Sequence, residues 1–143
     1  MTEFSNKDFS FSLPDKWIDR SVIMWTGPAV LGKVPPNFAV SYDQMQPDDD
    51  LLKYANRQID SLRPALKDWQ LIEQVSIRIG GREALSALFS WNLPQTKMMQ
   101  RQSFVALDQR RIVSVGCTAQ AAEFPAADSA WFQKIQNSFR FAE

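Results

Sequence analysis

Residues 71–91 read LIEQVSIRIGGREALSALFSW, and this stretch decides the fold. Side chains alternate along an extended chain, so Leu71, Val75, Ile77 and Ile79 fall on one side, interrupted only by Glu73. Gly80-Gly81 then offers the positive-φ pair that a two-residue hairpin turn demands. From Arg82 to Trp91, the residues Leu85, Ala87, Phe89 and Trp91 recur at period two. The stretch therefore predicts an antiparallel hairpin.

Toward the C-terminus, Met98 to Leu107 and Arg111 to Thr118 form a second hairpin around Asp108 to Arg110, which extends the first into a four-stranded meander. In the tail, Asp128 to Phe139, the residues Trp131, Ile135 and Phe139 stand at helical spacing. They predict a closing amphipathic helix packed on the sheet.

Toward the N-terminus, Asp48-Asp49-Asp50 places negative charge where a helix starts, with a helix following to about Leu66. Its apolar stripe is Leu52, Ala55, Ile59, Leu62 and Leu66. A neighbouring stripe, Leu51, Tyr54, Gln58, Leu62 and Ala65, widens the covered face and sets one amide into it. Pro64 falls in the last turns and kinks or ends the helix.

Further upstream, Asp8 to Leu13 alternates Phe9 and Phe11 with polar neighbours and stops at Pro14-Asp15, as a short strand does. Arg20 to Trp25 and Phe38 to Tyr42 read as two more strands. Between them, Gly27, Pro28, Gly32, Pro35 and Pro36 make Thr26 to Asn37 a loop. In Arg20 to Trp25, Val22 and Met24 point one way and Ile23 and Trp25 the other. A strand apolar on both faces needs a cover on each, supplied by the protein's own helix, a second copy or an apolar client.

The chain has 143 residues, the size of one domain, and residues 1–143 are read as a single unit with no internal repeat. Sixteen basic and sixteen acidic residues cancel, which gives no field favouring nucleic acid or an anionic membrane. The N-terminus lacks the basic start and apolar run of a secretory signal. No stretch approaches the roughly 18 apolar residues of a spanning helix, and a cytoplasmic location is expected.

Histidine is absent, which removes the standard catalytic triads and most metal chemistry, so no enzyme activity, cofactor or metal site is expected. The acidic run is read as a helix start and not as a catalytic pair. Gly80-Gly81 does not open a helix and is a turn, not a phosphate loop. The lone Cys117, on one strand face with Val113 and Val115, reads as packing. Met24, Met98 and Met99 serve equally as core filler or as an adaptable apolar surface. Gln58 and Gln102 each lie in a partly apolar element, where a buried amide needs a partner.

Several motifs occur together in order: FSLPDKWIDRS at 11–21, YANRQ at 54–58, GGREA at 80–84, QRQSF at 100–104 and SFR at 138–140. In this combination the chain resembles the Eag family, adaptor chaperones of type VI secretion effectors. That resemblance implies an α+β domain: an antiparallel sheet flanked by helices, an α/β/α sandwich similar to PsbP and Mog1. It also implies a non-enzymatic homodimer that holds the apolar N-terminal helices of a PAAR- or Rhs-containing toxin before export. Family positions on the client-facing surface match Val22 and Met24, Ala39, Gln58 and Gln102. Ala39 is smaller than the aliphatic residue expected, and Met24 is unbranched, which suits a groove that is deeper or tuned to a bulkier client helix. The alternative is a Mog1-like module that binds a folded soluble partner.

Overall fold

The structure, a computed structural model, describes residues 1–28 and 33–142. Gly32, counted above in the Thr26 to Asn37 loop, lies outside the described residues. Strands β1 (Thr2–Ser5) and β2 (Ser10–Leu13) form a small hairpin of their own. They are followed by β3 (Val22–Thr26), β4 (Asn37–Gln44), helix α1 (Leu51–Ala65), β5 (Gln70–Ile79), β6 (Arg82–Asn92), β7 (Lys97–Ala106) and β8 (Arg111–Gln120). A helical segment at 124–137, here α2, closes the chain. It contains α-helical Phe124–Ala127, π-helical Asp128–Phe132 and α-helical Gln133–Asn137.

Strands β3 to β8 make one antiparallel sheet in the order β3-β4-β8-β7-β6-β5. The expected meander supplies four of its six strands, β5 to β8, and the β3–β4 hairpin is added beside β8. Both glycines of the β5–β6 turn take positive φ, 57° and 81°, as the turn requires. Gly80 is also a point of close approach: a Cβ there would lie 2.6 Å from the Phe141 ring.

Helix α1 covers one sheet face. The Asp50 side chain caps it, accepting from the Lys53 N–H at 2.8 Å, so the acidic run does start the helix. Tyr54, Ala55 and Ile59 are buried with Met45, Trp69, Ala87, Phe89, Phe104 and Ile112, and Leu51, Leu62 and Leu66 flank them. Leu52, expected in the stripe, is 54% exposed, because the buried face is centred on Tyr54 and Ile59. Ala65 is exposed as well. Pro64 sits in the last turn and the helix ends one residue later.

The opposite face is covered by α2 and the tail. Phe124, Ala127 and Phe132 pack on Cys117 and Ala119. Phe139 and Phe141 pack on Ile79, Ala84 and Val105. Trp131, expected on the packed face, is 44% exposed, whereas Phe132 is 3% exposed. The π-helical turn takes an extra residue, which moves the core contact one place along the chain. Arg101 pairs with Asp128 and stands 5.4 Å over the Phe124 ring, tying α2 to β7.

The single-face reading of residues 71–79 holds for Val75, Ile77 and Ile79 but not for Leu71. A bulge between Leu71 and Glu73 sets Leu71 opposite Phe89 and Glu73 opposite Leu88. Leu71 is thereby turned to the α1 face.

Candidate functional site

Paired residues on neighbouring strands share a face, so the register places each side chain. Met24, Ala39, Gly116 and Gln102 form one transverse row across β3, β4, β8 and β7. Val22, Ser41, Ser114 and Phe104 form the adjacent row. Phe104 packs edge-on against Tyr54 of α1, with ring centres 5.8 Å apart. Both rows therefore run from beneath the helix out to the edge strand β3, on the α1 face.

Gln58 and Gln102 line one cleft of about 370 Å³ between α1 and the sheet, with Ser41, Ser61, Gln100 and Ser114 among its other walls. The sequence reading expected Val22, Met24, Ala39, Gln58 and Gln102 at one surface. The structure brings the two glutamines together inside the cleft. It sets Ala39, half-buried, on the floor leading out, and Val22 and Met24 at the open end, 61% and 60% exposed. Val22 and Met24 do not line the cleft itself; they continue its face toward solvent.

The cleft has a polar anchor at its side. Tyr54 donates its hydroxyl to Asp43 at 2.7 Å, and Arg20 lies 3.7 Å from the same carboxylate. Burial, and then the Asp43 carboxylate, push the Tyr54 phenol above its usual range. On the floor, the Gln100 side-chain N–H donates to Gln102 Oε1 at 2.6 Å. The cleft, walled mainly by polar and charged side chains with Leu62 and Phe104 among them, thus offers amide, hydroxyl and carboxylate groups to a bound segment, while the apolar area lies beyond it on β3.

Sequence reasoning missed Ser41, Gln100, Ser114 and Gly116. A signal for the β8 residues was present, because Ser114, Gly116 and Thr118 alternate with Val113, Val115 and Cys117 along one strand. That alternation marks a small and polar stripe beside an apolar one.

The other side of β3 also stays open. Ile23 and Trp25 are 49% and 68% exposed, facing away from α1. Trp25, Phe38, Trp131 and Ile135 border a second hollow of about 360 Å³ there. The β1–β2 hairpin stacks Phe4 on Phe11 at 5.0 Å between ring centres, yet leaves Phe9 and Phe11 about half exposed.

Cys117 is buried, and desolvation pushes its thiol up to about 12, which removes it as a nucleophile near neutral pH. In the acidic run, Asp50 caps α1 and Asp49 pairs with Arg57, the first at the helix start and the second on the first turns. Among the described residues, no three His, Cys, Asp or Glu side chains are grouped to hold a metal ion. No described helix is long and apolar enough to cross a membrane.

The chain is 27% identical to the Effector EagT6 of Pseudomonas aeruginosa over 138 residues, 95% of this chain and 94% of that protein, which bears out the Eag resemblance. Among solved structures, the fold is similar to PA94 of Pseudomonas aeruginosa, a protein of unknown function, with a TM-score of 0.81 and 24% identity, covering 100% of this chain and 99% of that one. It is also similar to PsbP of Synechocystis sp. PCC 6803, with a TM-score of 0.57 and 12% identity over 99% of this chain and 92% of the other, as the α+β expectation implied. The DcrB family model matches residues 9–138, and the chain belongs to the DcrB family.

Proposed function

We propose that this protein is a cytoplasmic, non-enzymatic adaptor chaperone that shields the apolar N-terminal helices of a type VI secretion effector of the PAAR or Rhs kind before export. One observation carries the reading. Met24, Ala39 and Gln102 fall in one cross-strand row, with Val22 in the next and Gln58 across the cleft, so residues far apart in sequence share one open face. The likeness to the Effector EagT6 points to the same secretion machinery.

The physics of the task suits this face. Covering a lipid-seeking helix removes apolar area from water at roughly 2.5 kcal/mol per 100 Å². A client helix seated on Val22, Met24 and Ala39 gains that term. Polar groups that such helices carry find partners in Gln58 and Gln102, as they do between helices inside a membrane. The reverse side of β3 is covered by a second copy in this reading, making a homodimer. Ile23 and Trp25, 49% and 68% exposed on that side, supply apolar area for such an interface.

The test is co-expression with an effector bearing an apolar N-terminal segment, and with the same effector lacking it, followed by affinity capture and mass spectrometry. Segment-dependent recovery is expected. Capture of folded soluble proteins alone would replace this reading with a Mog1-like binding module.

A further inference from the structure

Glycine weakens a strand interior, and Gly116 sits in the middle of β8, between β4 and β7. Its φ is not positive, so the backbone there does not require glycine. What it provides is space. A Cβ on Gly116 would lie 2.8 Å from Gln102 Oε1, closer than side-chain carbons approach, and 3.5 Å from Gln100 Nε2. The Gln102 carboxamide oxygen therefore occupies the space over the bare backbone of its register partner, and Gln100 donates to that oxygen at 2.6 Å.

We propose that Gly116 and Gln100 are positioning residues that fix Gln102 so that its amide NH₂ faces the cleft and selects a hydrogen-bond acceptor on the bound helix. This rests on the reading of the cleft as a client site. The carboxamide is planar. With its oxygen seated on Gly116 and accepting from Gln100, its nitrogen is turned the other way, and Gln102 Nε2 has no hydrogen-bond partner among the described residues. A donor held in place in a partly desolvated cleft discriminates strongly, because a client lacking the acceptor leaves it unpaired. The acceptor is a Ser or Thr hydroxyl or an Asn or Gln carbonyl on an otherwise apolar helix.

The probe is a pair of labelled helical peptides of about 20 residues, apolar with Lys at both ends, one with a central Ser and the other with Ala. The wild type should bind the Ser peptide roughly three- to tenfold more tightly than the Ala peptide. Gly116→Ala and Gln100→Ala should each reduce that preference to less than about twofold, and Gly116→Ala should add nothing in a Gln102→Ala background, since the two act through one group. Preference retained in both single variants, or additive losses in the double variant, would overturn the assignment.

Wild type that binds neither peptide would refute the chaperone reading, and the positioning role is then read from the side-chain amide NMR signals of Gln102. A clear shift of those signals in Gly116→Ala, with thermal unfolding confirming a folded variant, supports it. Unchanged signals overturn it. Gln100→Ala gives the same readout without touching β8.

Discussion

The Tyr54 hydroxyl donates to Asp43 Oδ2 at 2.7 Å, joining a residue buried on α1 to β4, the strand that links Met24 on the sheet edge to Gln102 in the cleft. Replacing Tyr54 with Phe keeps the ring against Phe104 and removes only this donor, which should cost about 1–2 kcal/mol in urea unfolding. Burial and the carboxylate hold the phenol protonated above its ordinary value of 10.0. In the unfolded chain it ionises from about pH 10, so this contribution is complete below that pH and is lost as pH rises beyond it. Stability of the Phe variant should fall less steeply above pH 10 than that of the wild type.

At the start of α1 the sign is reversed. Hydrogen bonding to Arg57 holds the Asp49 carboxyl at about 2, below its ordinary 3.8. The stability it contributes is complete above about pH 4 and is lost as pH falls toward 2. Asp49→Asn should be less stable than the wild type at neutral pH and show a shallower loss between pH 4 and 2, measured by denaturant unfolding at each pH.

With its thiol pushed up to about 12 among Ala119, Phe124 and Phe132, Cys117 should resist thiol reagents at pH 8 in the native protein. Labelling with a chromogenic disulfide should be complete within minutes in denaturant and slow by at least about a hundredfold without it, the rate then following opening of the α2 packing.

The two faces of β3 should separate in experiment. Met24→Asp, on the α1 side, should abolish segment-dependent effector capture and leave the molar mass in solution unchanged. Trp25→Asp, on the reverse side, should convert a dimer into a monomer at micromolar concentration in light scattering. Loss of capture and of dimer together in both variants would show that one surface serves both partners.

Much of this fold was legible because its signals are local. The Gly80-Gly81 turn, the alternation of Leu85, Ala87, Phe89 and Trp91, and the Asp50 cap each depend on neighbours a few residues away. What escaped is non-local or irregular. The bulge that turns Leu71 over leaves a hydrophobic pattern that still reads as regular alternation. The π-helical turn that exchanges Trp131 for Phe132 is likewise invisible in the spacing of apolar residues. Strand β1 is short and polar but for Phe4, and emerged only as the partner of β2. For the site, individual glutamines could be named from the sequence, but the row that joins Met24 to Gln102 exists only once β4 and β8 are paired between them.

The exposed strand β3 also has a consequence for how this region tolerates change. Its side chains alternate between two surfaces while only one of its edges is paired. In a saturation scan, positions 22 and 24 would answer to selection for the cargo, and positions 23 and 25 to selection for self-association. Deleting one residue from 16–21 could be absorbed by a slip of the strand along β4, which would exchange the two groups at once. Substitutions would then degrade one property at a time, whereas length changes in that short approach would degrade both.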